Sequence, residues 1–198
     1  MKTLKVKITL LEAMLGTAPG NKELYSTYIE AKRADRDGEE PEVDTLPVVE
    51  QLEQGTTVFH RMPNGNPMMY DYQFKGMFKD ACGCLRRVPD TESSKMKAYK
   101  KEIDGLIFVA PRKVEIAIPA GTGITITERS LRAQTAQGER IALARSETVA
   151  AGSVIRIEVM MLKESLEKSV REWLDYGKLR GLGQWRNSGM GIYSWEEV

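Results

Sequence analysis

The sequence is poorest in the side chains that bind metals and form crosslinks: one histidine, His60, and two cysteines, Cys82 and Cys84. A structural zinc site and a disulfide framework both need more such groups, so neither fits, and no metal or cofactor is expected. Charge of one prevailing sign is missing as well. With 29 Lys+Arg against 28 Asp+Glu in 198 residues, the sum of charges selects no partner. An apolar run of about eighteen residues, as a membrane span requires, is absent. The start, Met1-Lys2-Thr3-Leu4-Lys5-Val6-Lys7, alternates charged and apolar side chains where an export signal is continuously apolar. A cytoplasmic protein in a reducing compartment, with no membrane partner, is therefore expected. What is there is an ordinary globular composition, 41% hydrophobic and 29% charged, for which a single domain over 1–198 is expected.

Alternation of Leu4, Val6, Ile8 and Leu10 with Lys5, Lys7 and Thr9 predicts a half-buried first strand. The stretch 12–71 is broken by glycines and prolines and reads as an insertion with little core contribution. Inside it a short helix is expected over Lys22 to Lys32, and Arg33 to Asp44 reads as an exposed loop. Residues 30 to 53 hold nine acids against three bases. The stretch from 75 to 101 has the opposite balance, eight bases against three acids. Neutrality overall thus conceals two opposed segments, and an acidic insertion meeting the basic stretch of a neighbouring copy is one arrangement this allows.

Phe74, Phe78, Cys82 and Leu85 recur at helical spacing and predict a helix over Tyr72 to Arg87. Period-two patterning then predicts strands at Leu106 to Ala110, Val114 to Ile118, Ile124 to Ile126, Arg140 to Ala144 and Val154 to Leu162. The break from Gln134 to Glu139 suggests a hairpin extension over 124–147. An amphipathic helix follows over Lys163 to Tyr176, with Trp173 on its apolar face and Gly177 expected to stop it, and a strand over Gly191 to Trp195 closes the chain. This order is that of an α+β, ferredoxin-like (RRM-like) βαββαβ core with an inserted loop region and an extra hairpin.

The segment from Leu179 to Gly191 holds four glycines and two arginines, with a helix leading in and a strand leading out. Rossmann and P-loop glycines have the reverse context, so neither is indicated. Glycines at Gly181, Gly183, Gly189 and Gly191 allow close approach to main-chain N–H groups; Arg180 and Arg186 add charge and Trp185 a stacking face. This C-terminal Gly-x-Gly-x-x-Arg-x-x-Gly-x-Gly loop resembles the glycine-rich loop of the RAMP superfamily, the ferredoxin-like RNA-binding proteins of CRISPR effector complexes. The stretch Tyr72-Gln73-Phe74-Lys75-Gly76-Met77-Phe78-Lys79 is similar to the Ser-x-Lys-Gly-x-x-Arg start of the first helix in the crRNA-coating branch. Here Gln73 replaces the small hydroxyl and Lys79 the arginine. The chain is similar as well to proteins of phages and prophages, so the resemblance does not by itself imply a role in CRISPR.

The resemblance implies single-stranded RNA against Lys75, Gly76, Lys79 and the 181–191 loop, with subunits side by side along the strand. The expected function is binding of single-stranded nucleic acid, RNA before DNA, as a homo-oligomer or a subunit of a ribonucleoprotein. Two alternatives stand beside it. A RAMP-type endoribonuclease would use His60, or Asp37 in an acidic loop with Asp35 and Asp44. A phage interaction protein would mimic a CRISPR backbone subunit or sequester a nucleotide. Cys82 and Cys84, at i and i+2 on a helix, are expected on different faces and to serve packing.

Overall fold

The computed structural model describes residues 1–20, 56–135 and 138–198. The expected helix over Lys22 to Lys32, the 30–53 acidic stretch, and Asp35, Asp37 and Asp44 lie outside these residues. In chain order the strands begin with β1 (Lys2–Leu10), β2 (Met14–Leu15), β3 (Ala18–Pro19), β4 (Thr57–Val58), β5 (His60–Arg61) and β6 (Pro67–Tyr70). Helix α1 (Asp71–Leu85), a 3-10 turn at Ser93–Lys95 and helix α2 (Tyr99–Leu106) follow. Then come β7 (Ile107–Ala110), β8 (Lys113–Ala117), β9 (Thr125–Thr135), β10 (Gly138–Val149), β11 (Val154–Met161), helix α3 (Leu166–Arg180), a 3-10 turn at Arg186–Ser188 and β12 (Tyr193–Glu197).

The chain divides into two units. The first, Met1–Met14, His60–Gly123 and Val149–Val198, is built on a sheet of order β12-β1-β11-β8-β6-β5, with β7 also paired to β11. In β1, Leu4, Val6, Ile8 and Leu10 are buried, so the alternation read from the sequence sets the inner face of this strand. Every pairing of β1, β7 and β8 with β11, and of β12 with β1, is antiparallel. Tyr193, on the inner face of β12, donates its hydroxyl to Leu174 O at 3.1 Å and touches Met77 Sδ at 3.5 Å. One side chain of the sheet thus meets both α1 and α3, which places the two helices on the same face. Phe78 and Trp173 pack between them with ring centroids 5.7 Å apart.

Trp173 is fully buried, as its place on the apolar stripe predicts, and its Nε1 donates to Ser93 Oγ at 2.8 Å. Ser93 in turn donates to Glu172, at 2.5 Å. The same carboxylate accepts the amides of Glu92 and Ser93 at 2.8 and 3.0 Å. A buried indole N–H and a helix-borne carboxylate are therefore both satisfied by the 92–93 turn, which removes the penalty of burying unpaired polar groups.

Five elements differ from the sequence expectation. Helix α3 runs past Gly177 to Arg180, because Gly177 is an interior position where a Cβ would overlap the Tyr193 hydroxyl; Gly181, at φ +77°, ends the helix instead. Helix α2 was not predicted: in its eight residues only Ile103 is buried, too little for a periodic signal, and Leu106 belongs to it rather than to β7. Met68 and Met69, in a stretch read as adding little to the core, are buried in β6, which joins the larger sheet through β8. Finally, β9 and β10 are much longer than the short apolar segments read for them.

The second unit, Leu15–Phe59 and Ile124–Thr148, contains most of a sheet of order β2-β10-β4-β3, with β9 on β10. Strands β9 and β10 pair antiparallel from Thr125↔Thr148 to Thr135↔Gly138. Hydroxyls stitch it: Thr57 Oγ1 and Ser146 Oγ lie 2.7 Å apart, and Thr148 donates to Thr127 at 2.7 Å. Glu147 accepts the Phe59 amide at 2.8 Å.

Candidate nucleic-acid interface

Helix α1 starts where the chain leaves β6. Tyr70 has extended backbone, its N–H is taken by Gln73 Oε1 at 2.8 Å, and the Asp71 N–H goes to Arg112 O at 3.0 Å. Gln73, the departure from the RAMP pattern, thus spends its side chain on closing the helix start. Phe74, Met77, Phe78, Ala81 and Cys82 form the buried stripe, and Leu85, the last residue of the predicted stripe, is only half-buried. Opposite that stripe, Tyr72, Gly76 and Lys79 follow one another along the solvent side. Tyr72 is 58% exposed. At Gly76, among the described residues, no atom beyond its own helix backbone lies within 4 Å of the place a Cβ would take.

Each flank of this ridge carries an aspartate that two cations contact. Toward α2, Lys79 Nζ pairs with Asp104 Oδ1 at 2.6 Å, and Lys75 Nζ donates to Asp104 O at 3.1 Å. Lys75 also lies 5.1 Å from the centre of the Phe108 ring, which is 44% exposed. On the other flank, Asp80 Oδ2 accepts Arg180 Nε at 3.3 Å and Arg186 Nη1 at 2.9 Å. Arg180 additionally donates to Asn187 Oδ1. One carboxylate of α1 thereby gathers both arginines of the glycine loop.

The loop itself is folded by its glycines. Gly181, Gly183, Gly189 and Gly191 all have positive φ, between +72° and +82°. Trp185 is left-handed too, at φ +55°, and is 38% exposed. A Cβ at Gly181 would overlap Met190 O, and one at Gly191 would overlap the Leu182 backbone, so the two ends of the loop lie against each other without side chains between them. Several amides that the sequence suggested for ligand contact bond inside the protein. Gly181 N–H goes to Gly177 O, Leu182 N–H to Gly191 O and Gly191 N–H to Ala13 O, at 2.8, 2.9 and 2.9 Å. Ser188 and Gly189 donate to Trp185 O and Arg186 O, both at 3.0 Å, closing the 3-10 turn that carries Arg186.

The other candidates stand apart from this arrangement. His60, half-buried in β5, meets the Tyr70 ring edge-on, at 4.8 Å and 67°. Tyr70 stacks on Tyr72 at 5.4 Å and 15°. Cys82 is buried, and burial pushes its thiol up from the usual range; Cys84 is exposed, so the two occupy different faces as expected. Among the described residues no group of three or more His, Cys, Asp or Glu could hold a metal ion, and no helix is long and apolar enough to cross a membrane. Sequence reasoning missed Asp80, the Tyr70–Tyr72 stack and Phe108. Only Tyr72 left a trace, as an aromatic of the helix-start motif that falls off the apolar stripe.

No protein-family model matches the sequence, and no curated protein matches it. Solved structures do. Over 99% of its length the chain superposes on a protein in the cryo-EM structure of the Type III-B Cmr-beta bound to cognate target RNA, with a TM-score of 0.56 and 12% identity. It spans 60% of that protein's length. Over 100% of its length it superposes on a protein of a Type IV-B CRISPR complex, covering 90% of that protein with a TM-score of 0.50 and 13% identity. At such identities the likeness is one of fold: this mixed α+β chain is similar in fold to subunits of CRISPR effector complexes.

Proposed function

We propose that the protein is a RAMP-like binder of single-stranded nucleic acid, RNA before DNA, acting as a homo-oligomer or a ribonucleoprotein subunit along the strand. Numbered within the four-strand core, the order β12-β1-β11-β7 is 4-1-3-2, with α1 and α3 as its two crossover helices. That is the ferredoxin-like arrangement, and the likeness to a protein from an RNA-bound assembly supports the same reading.

The observation that carries it is Asp80 holding Arg180 and Arg186 beside the open ridge of α1. Two guanidinium groups and one carboxylate leave a net positive edge, and arginine forks match phosphate oxygens. Lys75, Gly76 and Lys79 on α1, with Trp185 and the glycine loop, complete the surface. Gly181, Gly189 and Gly191 serve it by shaping the loop that presents Arg186, and Gly183 shares their left-handed backbone.

Fluorescence anisotropy of labelled single-stranded RNA, single-stranded DNA and duplex DNA tests the reading. Single strands are expected to bind, with affinity falling as salt rises by roughly 0.7 in the log–log slope for each phosphate neutralised. Arg186→Ala combined with Lys75→Ala should weaken that binding. No binding of any probe at micromolar protein and low salt rejects the function; unchanged affinity in the double variant rejects the site.

A further inference from the structure

We propose that Tyr72 is a stacking platform for one base of a bound single strand, left uncovered by the glycine one turn after it; the inference rests on the single-strand reading above. Tyr72 is 58% exposed, unusual for a large ring at the start of a packed helix. Its ring is nonetheless held. Tyr70 stacks on one face at 5.4 Å and 15°, and His60 braces Tyr70 edge-on at 4.8 Å. Tyr70 is in turn fixed through its own N–H, which Gln73 accepts. Such a backed aromatic loses little freedom when a second ring lands on it.

Helical side chains lean toward the N-terminus, so the residue four positions on is the one whose side chain would cover Tyr72. That residue is Gly76, where among the described residues no atom beyond its own helix backbone lies within 4 Å of where a Cβ would sit. Glycine is the poorest helix former after proline, and nothing in the packing requires it there. Its absence of a side chain keeps the outside of the ridge bare. Charges for the flanking phosphates are close by: Lys79 lies on the same ridge, and Asp80 with its two arginines sits two turns along α1, about 12 Å at 1.5 Å per residue. A single flat ring with cations further along the same ridge suits a nucleobase and its backbone, and accepts any base because each has a π face.

The test uses the shortest single-stranded RNA that retains full affinity, so that it cannot slide, with an abasic nucleotide substituted at each position in turn. For the wild-type protein, removing one particular base should weaken binding about five- to a hundredfold, and Tyr72→Ala should weaken intact RNA by a similar factor. Combined, the two losses should not add, since each removes the same stack. Tyr72→Phe should bind as wild type. Gly76→Leu should weaken binding while melting at or above the wild-type temperature, which separates a covered platform from a damaged fold. If Tyr72→Ala binds intact RNA as tightly as wild type, or keeps the full abasic penalty, the platform is wrong while the single-strand function stands. If wild type binds no single strand, the function falls and the platform with it.

Discussion

The two flanks of α1 hold the same charges, two cations and a carboxylate, and make different structures from them. On the α2 side, Lys75 and Lys79 belong to the same helix one turn apart and reach Asp104 on flexible stems, Lys79 at its carboxylate and Lys75 at its backbone carbonyl. Such a surface pair contributes about 0–1 kcal/mol and yields readily to salt. On the loop side, Arg180 ends α3, Arg186 sits in a separate 3-10 turn, and only the left-handed glycines bring that turn to Asp80. Planar guanidinium groups fixed by a folded loop are pre-organised where ammonium groups are not. The difference teaches that the glycine-rich segment matters less for its own amides than for where it sets Arg186.

Breaking the loop should separate the flanks most. Gly191→Ala places a Cβ on the Leu182 backbone at φ +72°, so denaturant unfolding should show a loss of about 2–4 kcal/mol. A near-neutral result would mean the loop ends are not what holds Arg186. Next in size, Arg180→Ala with Arg186→Ala should weaken single-stranded RNA more than Lys75→Ala with Lys79→Ala, and should lower the salt slope by about 1.4. Equal losses from both pairs, measured by anisotropy across a salt series, would erase the distinction. Asp80→Asn should cost about 1 kcal/mol of stability while Asp104→Asn stays within about 0.5 kcal/mol, because the Asp80 carboxylate ties α1 to two other elements through two arginines, where the more exposed Asp104 carboxylate pairs with a single lysine. The smallest effect has the opposite sign: Gly76→Ala should raise stability by about 0.5–1 kcal/mol, since it adds helix propensity in open space. A melting temperature that falls instead would show that the ridge is already covered.

Much of the larger sheet was legible because its signal is local. The Leu4, Val6, Ile8, Leu10 alternation and the Phe74, Phe78, Cys82 stripe each report one buried face, and burial follows them. Gly177 misled because a glycine near a helix end has two explanations, a stop or a close neighbour, and Tyr193, sixteen residues on, decides between them. Helix α2 was too short to show a period, and β9 and β10 carry polar residues over most of their length, which periodicity does not register. At the candidate site, the glycine loop and Lys75, Gly76 and Lys79 were visible as composition and pattern. Asp80 was not, since its partners lie 100 and 106 positions away and one acid among bases reads only as a reduction in charge. The ladder from His60 through Tyr70 to Tyr72 was hidden for the same reason: it crosses from two strands into a helix, and no single periodicity spans all three.

Ser93 acts at a distance from all of this. Its hydroxyl receives the Trp173 indole N–H and passes its own proton toward Glu172, so the indole is pinned in azimuth while its ring rests on Phe78. Trp173 is thereby a spacer of fixed thickness between α1 and α3. The gap that Arg180 must bridge to reach Asp80 is gauged by that spacer, and the tolerance of the cationic edge is machined into the core by one serine.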